Sequence, residues 1–240
     1  MGGAWVDSSE GSIVTPRELL TTGAHDLGVA LTVEQCNSFF LYLAELKKWN
    51  RKINLTAITE DREMVIKHIL DSLSYGKGFA PTPGLKLLDM GSGAGFPAIP
   101  LKLTHPEITV TLVESVKKKA SFLRHIIRML KLQGINIIDK RTEDLSNLLL
   151  ATFDVVTARA FADIGTALAA GMPFLKHGGL MVLSRGPEES FEEQQMAKAG
   201  VILEIRIPII LPHSDYKRAL WIFKKNSVSV PRGTFSRCSK

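Results

Sequence analysis

Three glycines lie at alternate positions in a segment that follows a strand-like run and opens a predicted helix. Gly91, Gly93 and Gly95 belong to the sequence LLDMGSGAGFP, which covers residues 87–97. Glycine lets a backbone turn tightly and approach a ligand closely, and ligands of parallel sheets bind beyond the carboxyl ends of the strands. The segment therefore predicts a site for a cofactor that contains a nucleoside.

Two classes of cofactor use this geometry, and the neighbouring side chains favour one of them. The dinucleotide fingerprint G-x-G-x-x-G fails, because Phe96 stands where its last glycine would be when counted from Gly91. The carboxylate of Asp89 would repel a pyrophosphate, because both are negatively charged. It would attract the cationic aminoacyl portion of S-adenosylmethionine, which has no phosphate. These residues predict a site for S-adenosylmethionine.

Further acids are predicted at the ends of the next two strands. Glu114 lies 25 residues beyond Asp89, near the offset at which a carboxylate accepts the ribose hydroxyls of a nucleotide. Thr142 and Glu143 follow the third strand-like run, where the adenine is expected. Either acid alone could be an early-turn carboxylate of a helix. The combination with the glycine loop predicts a methyltransferase.

The elements that must position these residues are of the α/β class. Strand-like runs alternate with helical segments, which predicts a mostly parallel sheet covered on both faces. The predicted strands are 86–89, 109–114, 135–139, 154–157 and 180–184, and the predicted helices between them are 97–104, 117–132, 143–150 and 162–175. Two later β-rich runs, 201–210 and 219–224, predict an antiparallel hairpin at the end of the sheet.

A helical region is predicted ahead of the sheet. Thr15 is the expected N-cap and Pro16 the first helical residue, and apolar spacings near 3.6 recur over 32–49 and 60–75. The expected division of the chain is a disordered segment 1–14, a helical region 15–83, a methyltransferase domain 84–225 and a flexible basic tail 226–240.

Composition excludes several classes of protein. The 240 residues are 45% hydrophobic and 22% charged, as in ordinary globular domains, and no stretch approaches the ~20 apolar residues of a membrane span. Cys36 and Cys238 lie far apart without His or Cys at metal spacing, which excludes a disulfide framework and a zinc ribbon. We expect a cytoplasmic protein that holds no metal and binds no membrane.

The net charge of +6 is concentrated in two blocks. Residues 115–138 carry six Lys or Arg and residues 217–240 carry seven, with no acid in either block. Such blocks favour a nucleic acid as partner, although charge alone is explained equally well by solvated surface. The RNA-binding residues predicted within these blocks are Lys117, Lys118, Arg124, Arg128, Lys224 and Lys225.

Four motifs together resemble one family. Residues 89–101, DMGSGAGFPAIPL, resemble the signature of the bacterial small-subunit ribosomal RNA guanine-N7 methyltransferases, the RsmG family, formerly glucose-inhibited division protein B. Residues 54–57 (NLTA), 68–73 (HILDSL) and 153–162 (FDVVTARAFA) are similar to further motifs of that family. Their order and spacing match over about residues 16–225.

The resemblance implies a Rossmann-like class I methyltransferase fold and methyl transfer from S-adenosylmethionine to N7 of a guanine in the decoding-region loop of 16S ribosomal RNA. It implies that the partner is 16S rRNA or the small ribosomal subunit, and we expect a monomeric enzyme. The cofactor residues that it implies are Gly91, Phe96, Glu114, Thr142, Glu143 and Arg159. Two positions depart from the family pattern, because Ala98 replaces a glycine and Arg185 replaces a lysine. The resemblance adds Arg185 to the predicted RNA-binding residues.

The implied chemistry needs little from acid–base groups. Guanine N7 carries an in-plane lone pair, so no general base is expected, and the enzyme must position the reactants and exclude water. Arg159 follows the fourth strand and is expected to bind the guanine, a phosphate or the cofactor carboxylate, or else to pair with Asp163. The histidines lack the spacing of a catalytic pair and are interpreted as structural; they are His68, His105, His125 and His213.

Three other functions remain open at this point. The same fold could methylate a small molecule or a protein, the chain could be a ribosome-assembly factor with a vestigial pocket, or it could be a nicotinamide dehydrogenase. The intact Asp89, Gly91, Glu114 and Arg159 disfavour the assembly factor, and Phe96 disfavours the dehydrogenase. Cofactor binding and the choice of substrate would separate these alternatives.

Overall fold

The structure is a computed structural model that describes residues 5–6, 13–145, 147–159, 161–191 and 200–226. Two short strands, β1 (Trp5–Val6) and β2 (Ile13–Val14), pair antiparallel near the start of the chain. The main sheet has seven strands: β3 (Lys86–Met90), β4 (Thr109–Val113), β5 (Ile135–Ile138), β6 (Phe153–Arg159), β7 (Leu175–Arg185), β8 (Val201–Ile210) and β9 (Lys217–Lys225).

The strand order in the main sheet is β5-β4-β3-β6-β7-β9-β8. Pairing is parallel from β5 across to β7, and β9 is inserted antiparallel between β7 and β8. The predicted α/β fold with a mostly parallel sheet and a terminal antiparallel hairpin is confirmed. The order reverses between β3 and β6, so the carboxyl ends of these two strands flank the topological switch point at which such sheets bind ligands.

Helices cover both faces of this sheet. The α-helices are α1 (Pro16–Asp26), α2 (Val33–Ile53), α3 (Asp61–Met64), α4 (Asp71–Ser74), α5 (Ala98–Thr104), α6 (Lys117–Met129) and α7 (Ile164–Gly171). Successive residues of β3 show how the sheet divides the core. Leu87 packs in the cluster that contains α1, α2, α5 and α6, and Leu88 packs in the cluster that contains α7, because neighbouring side chains of a strand point to opposite faces.

The helical region begins where its capping residues predict. Thr15 and Thr32 each accept a hydrogen bond from the backbone N–H three residues later, and the side chains of Glu18 and Gln35 accept hydrogen bonds from the backbone N–H groups of the two threonines. Both helices therefore start with a capping box, and Pro16 is the first residue of α1 as predicted.

The segment predicted as one helix over 60–75 is composite. A π-helix (Val65–Leu70) lies between α3 and α4, and a 3₁₀ turn (Tyr75–Gly78) follows. Every described residue from Met64 to Tyr75 except Lys67 is buried, so packing constrains this segment on all sides. π-Turns are rare and occur often at functional sites, and the 3.6-residue spacing of the apolar residues gave no sign of this one.

Two predicted helices are wrong in extent or type. The segment 143–150 forms two 3₁₀ turns, Thr142–Asp144 and Asn147–Leu149, because so short a segment gains little stability from an α-helix of its own. The helix predicted over 162–175 ends at Gly171 and continues as a 3₁₀ turn, Met172–Phe174. Pro173 explains that end, because proline has no backbone N–H and disfavours helical geometry in the residue before it.

The ends of the chain are described only in part. The paired strands β1 and β2 lie within segment 1–14, which was expected to be disordered. Residues 1–4 and 7–12 of that segment, and the tail from residue 227 onward, lie outside the described residues. The proposed domain boundaries stay a prediction. Within the described ranges, no helix is long and apolar enough to cross a bilayer, and no three His, Cys, Asp or Glu side chains are grouped to hold a metal ion.

One hydroxyl connects the N-terminal helices to the sheet. Tyr42 of α2 is fully buried, and its hydroxyl donates a hydrogen bond to the backbone carbonyl of Ala94, in the loop after β3. The Tyr42→Phe substitution leaves this buried carbonyl without its donor. We expect the free energy of unfolding, measured by urea denaturation, to fall by about 1–3 kcal/mol.

Tyr216→Phe is the matched control for this measurement. It removes a hydroxyl that donates to the partly exposed carboxylate of Glu63 at 3.2 Å, and water can replace that contact. We expect the control to cost less than about 1 kcal/mol. Equal losses in the two variants would contradict the assigned role of Tyr42.

Candidate active site

The glycine loop, residues 91–97, connects β3 to α5 and has little steric freedom. Gly91 has a φ of 63° and Gly95 a φ of 96°, conformations that residues with a side chain rarely adopt. A Cβ atom on Gly95 would lie 2.5 Å from Ile99 Cδ1 and 2.8 Å from the Tyr42 hydroxyl. Glycine is therefore required at this position for the loop to follow its path over the end of β3.

Glu114 directly follows β4 and supports this loop. Its carboxylate accepts hydrogen bonds from the backbone N–H of Gly93 at 2.8 Å and from that of Val116 at 2.7 Å. The residue is only 5% exposed. The second acid predicted from the sequence thus lies in contact with the glycine loop, as expected for one continuous site.

A cavity of about 190 Å³ opens beyond the carboxyl ends of β3, β4 and β5. Its lining includes Gly91, Val113, Ser115, Thr142, Glu143 and Phe161. Glu114 lies between two of these residues in the chain, Thr142 is buried, and Glu143 is exposed. The structure therefore brings the glycine loop, the Glu114 segment and Thr142–Glu143 together, as the sequence predicts. We name this space the loop cavity.

Asp89 lies beneath the loop with one oxygen unpaired. It is fully buried; Thr157 Oγ1 donates to its Oδ1 at 2.8 Å, and Oδ2 has no hydrogen-bond partner among the described residues. Burial raises the pKa of this carboxyl to about 7. A buried carboxylate with an unpaired oxygen fits a cationic ligand group nearby, so these residues fit S-adenosylmethionine.

Phe96 forms the centre of a stack of rings. Its ring centroid lies 5.1 Å from that of Tyr42 and 4.6 Å from that of His68, whose plane is within 9° of parallel. The guanidinium carbon of Arg159 lies 5.0 Å from the same centroid. Phe96 is 3% exposed, so it supports the site from within the core.

Arg159, at the end of β6, is held by the N-terminal helices. Its Nη1 donates to the carbonyl of Lys67 at 3.0 Å and to Asp71 Oδ2 at 3.1 Å. The alternative considered for Arg159, an ion pair with Asp163, does not form, because Asp163 accepts from the N–H and hydroxyl of Thr166 and so caps α7. The arginine lies at the predicted rim with a different acid.

A second and larger cavity, of about 360 Å³, opens beyond the ends of β6 and β7. We name it the arginine cavity, and its charged and imidazole side chains are Lys67, His68, Asp71, Arg159, Arg185, Glu189 and Arg218. The residue-by-residue sequence argument found only Arg159 and Arg185. The available signal was the motif HILDSL, in which His68 and Asp71 stand three residues apart, and the π-helix carries Lys67 and His68 to this edge.

His68, one of the histidines interpreted from the sequence as surface or core residues, is buried and lines the arginine cavity. Its Nε2 is 2.9 Å from the hydroxyl of Thr56. Burial, reinforced by the positive charge of Arg159, lowers the pKa of the imidazole to about 3. The ring is therefore neutral at physiological pH.

The predicted RNA-binding residues fall into three groups. Lys117, Lys118, Arg124 and Arg128 are exposed on α6, and Arg124 forms an ion pair with Asp139 at 2.8 Å. Arg185 is buried at the arginine cavity. The other two are Lys224 and Lys225, treated next.

Lys224 and Lys225, predicted to share the RNA-binding face, lie at the opposite edge of the sheet. β9 runs antiparallel to β7, so its carboxyl end lies beside the amino end of β7, and Lys224 is opposite Leu180. Lys225 Nζ donates to the carbonyls of Met172 and Leu175 at 2.8 and 2.7 Å. Strand direction, which the charge pattern does not contain, corrects this prediction.

The titration of Asp89 gives a testable prediction. Between its ordinary pKa of 3.8 and about 7, the folded chain holds a proton that the unfolded chain has released, so this group lowers the free energy of unfolding as pH rises. The Asp89→Asn substitution removes that dependence. The quantity to follow is the free energy of unfolding of the variant minus that of the wild type, measured by urea denaturation. We expect this difference to increase by about 2–3 kcal/mol from pH 5 to pH 8.

The comparison with the wild type isolates Asp89, because the lowered pKa of His68 acts in the opposite direction and is present in both proteins. Asp144→Asn, at an exposed side chain, is the control and should shift stability equally at both pH values. A pH-independent difference for Asp89→Asn would show that the carboxyl is ionised across the range.

Comparison with known proteins agrees with this arrangement. The chain matches the family model GidB, described as rRNA small subunit methyltransferase G, over residues 35–219. It is 43% identical over 221 residues to the ribosomal RNA small subunit methyltransferase G of Geobacter sp. (strain M21). The alignment covers 89% of this chain and 100% of the relative. The enzyme of the same description from Geobacter metallireducens is 42% identical, covering 89% of this chain and 98% of the relative.

Solved structures share the fold at low sequence identity. The structure of M. jannaschii TYW2 in complex with AdoMet superposes with a TM-score of 0.51 at 17% identity, covering 65% of this chain and 74% of that one. At this identity the likeness concerns the fold alone. The family resemblance predicted from the four motifs is confirmed by the family model and by the relatives, and the chain belongs to the rRNA small subunit methyltransferase G (GidB) family.

Proposed function

We propose that this chain transfers a methyl group from S-adenosylmethionine to N7 of one guanine in the decoding-region loop of 16S ribosomal RNA. The observation that carries the proposal is the pair of cavities at the carboxyl edge of the sheet. Phe161 lines the loop cavity, and Arg159, two residues earlier, lines the arginine cavity. Two adjacent spaces at a topological switch point suit a reaction between two bound molecules, and family membership supplies the choice of RNA and atom.

The loop cavity is the proposed cofactor site. Glu114 would accept the ribose hydroxyls, Thr142 and Glu143 would lie against the adenine, and Asp89 would face the cationic aminoacyl portion. Gly91, Gly93, Gly95, Phe96 and Arg159 complete the proposed set. When bound, S-adenosylmethionine supplies an electrophilic methyl group on its sulfonium. The unpaired oxygen of Asp89 and the left-handed Gly91 support this assignment.

The protein's own contribution is positioning and charge. N7 needs no deprotonation, so the site requires a fixed distance and angle between the reactants and the exclusion of water. Arg159 is fixed by Asp71 and by the Lys67 carbonyl, and it borders the space where the base would enter. A neutral His68 adds no positive charge beside a sulfonium.

The proposed RNA surface begins beside the loop cavity. Ser115 lines that cavity and α6 starts two residues later with Lys117 and Lys118, so exposed cations border the cofactor site. Arg218, at the start of β9, replaces Lys224 and Lys225 in the proposal, because it lines the arginine cavity. We further propose that the enzyme acts as a monomer.

The proposed function is tested by methyl transfer from labelled S-adenosylmethionine to small ribosomal subunits that lack the modification. We expect label at a single N7-methylguanine of 16S rRNA. The Glu114→Gln substitution should raise the dissociation constant of S-adenosylmethionine about tenfold or more, because a hydrogen-bonded carboxylate contributes about 1.5–3 kcal/mol. Glu107→Gln, in the turn before β4, is the matched control and should bind normally.

Naked 16S rRNA and total cell protein are assayed beside the subunits. Label in protein or in small molecules, with none in rRNA, would keep the methyltransferase and replace its substrate. Absence of S-adenosylmethionine binding by the wild-type protein would favour the ribosome-assembly factor.

The basic surface of α6 gives a second prediction. Reversing two exposed charges, Lys118→Glu and Arg128→Glu, should raise KM for small subunits about tenfold and reduce the slope of log affinity against log salt by about 2, with kcat unchanged. The double variant Lys86→Glu and Lys224→Glu changes the net charge equally at the opposite edge of the sheet and is the matched control. Equal effects of the two variants would mean that overall charge, and not this surface, governs binding.

A further inference from the structure

The arginine cavity contains buried polar atoms that nothing in the described structure satisfies. Asp71 Oδ1 and the Nε and Nη2 atoms of Arg185 have no hydrogen-bond partner among the described residues. The two side chains are only 5% and 8% exposed. A buried polar atom without a hydrogen-bond partner costs about 1–3 kcal/mol of stability. A ligand that paired with this one acceptor and these two donors would recover that cost.

Two charged side chains close to these atoms do not satisfy them. Arg218 Nε lies 3.9 Å from Asp71 Oδ1, and Glu189 lies 3.9 Å from Arg185 Nε, both beyond hydrogen-bond distance. Asp71 Oδ2, in contrast, is fully engaged by Arg159 at 3.1 Å. One oxygen of the carboxylate therefore fixes the arginine, and the other is left for a donor that the free protein lacks.

The side chain that covers Asp71 Oδ1 is able to leave. Arg218 is 36% exposed, whereas Asp71 is 5% exposed, and a long arginine side chain reorients readily at a surface. Its guanidinium presents adjacent N–H donors. The N1–H and 2-amino group of guanine form a similar pair of donors on one edge of a planar ring, so a guanine edge could occupy the place of this guanidinium.

We propose that the arginine cavity receives the acceptor guanine, with Asp71 Oδ1 accepting hydrogen bonds from its N1–H and 2-amino group and Arg185 donating to its O6. This inference rests on the proposed function and names the residues that choose the base. An extruded base is read in this way, by hydrogen bonds to its Watson–Crick edge in a closed pocket. The N7 edge then remains free for the methyl group.

The charges of the cavity favour a nucleotide over the other occupants. Four basic side chains, Lys67, Arg159, Arg185 and Arg218, outnumber two acidic ones, which suits a base that arrives with its phosphates. A free phosphate would gain nothing from the unpaired oxygen of Asp71. Adenine would present an acceptor, N1, to that oxygen and a donor, its 6-amino group, to Arg185, so both contacts would be repulsive.

The test pairs one change in the protein with one change in the base. Small subunits are reconstituted with guanine or with inosine at the methylated position, since inosine lacks only the 2-amino group. For the wild-type enzyme we expect inosine to lower kcat/KM about 10- to 100-fold, the effect of losing a hydrogen bond to a charged group. For Asp71→Asn the guanine reaction should itself be slower, and the further penalty for inosine should fall below about threefold.

Asp61→Asn is the matched control, because it also removes a carboxylate from an ion pair, with Lys47 at 2.8 Å, outside the cavity. It should keep the full penalty for inosine. Far-UV circular dichroism shows whether each variant is folded, and all rates are measured at saturating S-adenosylmethionine, because Asp71 also fixes Arg159 of the proposed cofactor set.

The outcomes separate this inference from the proposed function. If the wild-type enzyme deposits no methyl group on guanine in subunits, the proposed function itself is wrong. If it methylates guanine and inosine equally, no carboxylate reads the 2-amino group and the inference is overturned, even if Asp71→Asn fails to fold. An unchanged inosine penalty in Asp71→Asn would overturn the assignment of Asp71 to the 2-amino group, whatever its effect on cofactor binding.

Discussion

The stack of Tyr42, Phe96 and His68 is the contact on which the rest of the site depends. Phe96 belongs to the glycine loop, Tyr42 to α2 and His68 to the π-helix, so one set of rings joins the loop to two separate parts of the N-terminal region. Arg159 lies over the same ring and is tied to Asp71. Both cavities take one wall from elements that this stack fixes, and neither the helices nor the sheet would form the site alone.

The fold was predictable because its strands are buried on both faces. Parallel strands such as β3 appear as continuous apolar runs, and capping residues such as Thr15 mark where helices begin. What the sequence did not predict depends on packing. The π-helix at Val65–Leu70 keeps a helical spacing of apolar residues, and the segment after Arg141 is too short and irregular to show whether it winds as α or 3₁₀.

The candidate site was predictable where its residues are close in sequence to a strand end. Asp89, Glu114 and Thr142 all follow that rule and meet at one edge of the sheet. Asp71 and Arg218 do not, since they come from the helical region and from an antiparallel strand, and only tertiary structure brings them to Arg159. Lys224 is the opposite case. The charge pattern grouped it with the basic residues of α6, but the antiparallel direction of β9 puts it at the other edge of the sheet.

The insertion of β9 between β7 and β8 orders the assembly of the sheet. In the described structure β8 pairs only with β9, although β8 precedes it in the chain. β8 therefore has no place in the sheet until residues 217–225 are also available, and the two strands must join β7 as a preformed hairpin or with β9 first. Arg218 enters the site by this route, so the wall of the arginine cavity that it supplies is present only once β9 has paired with β7.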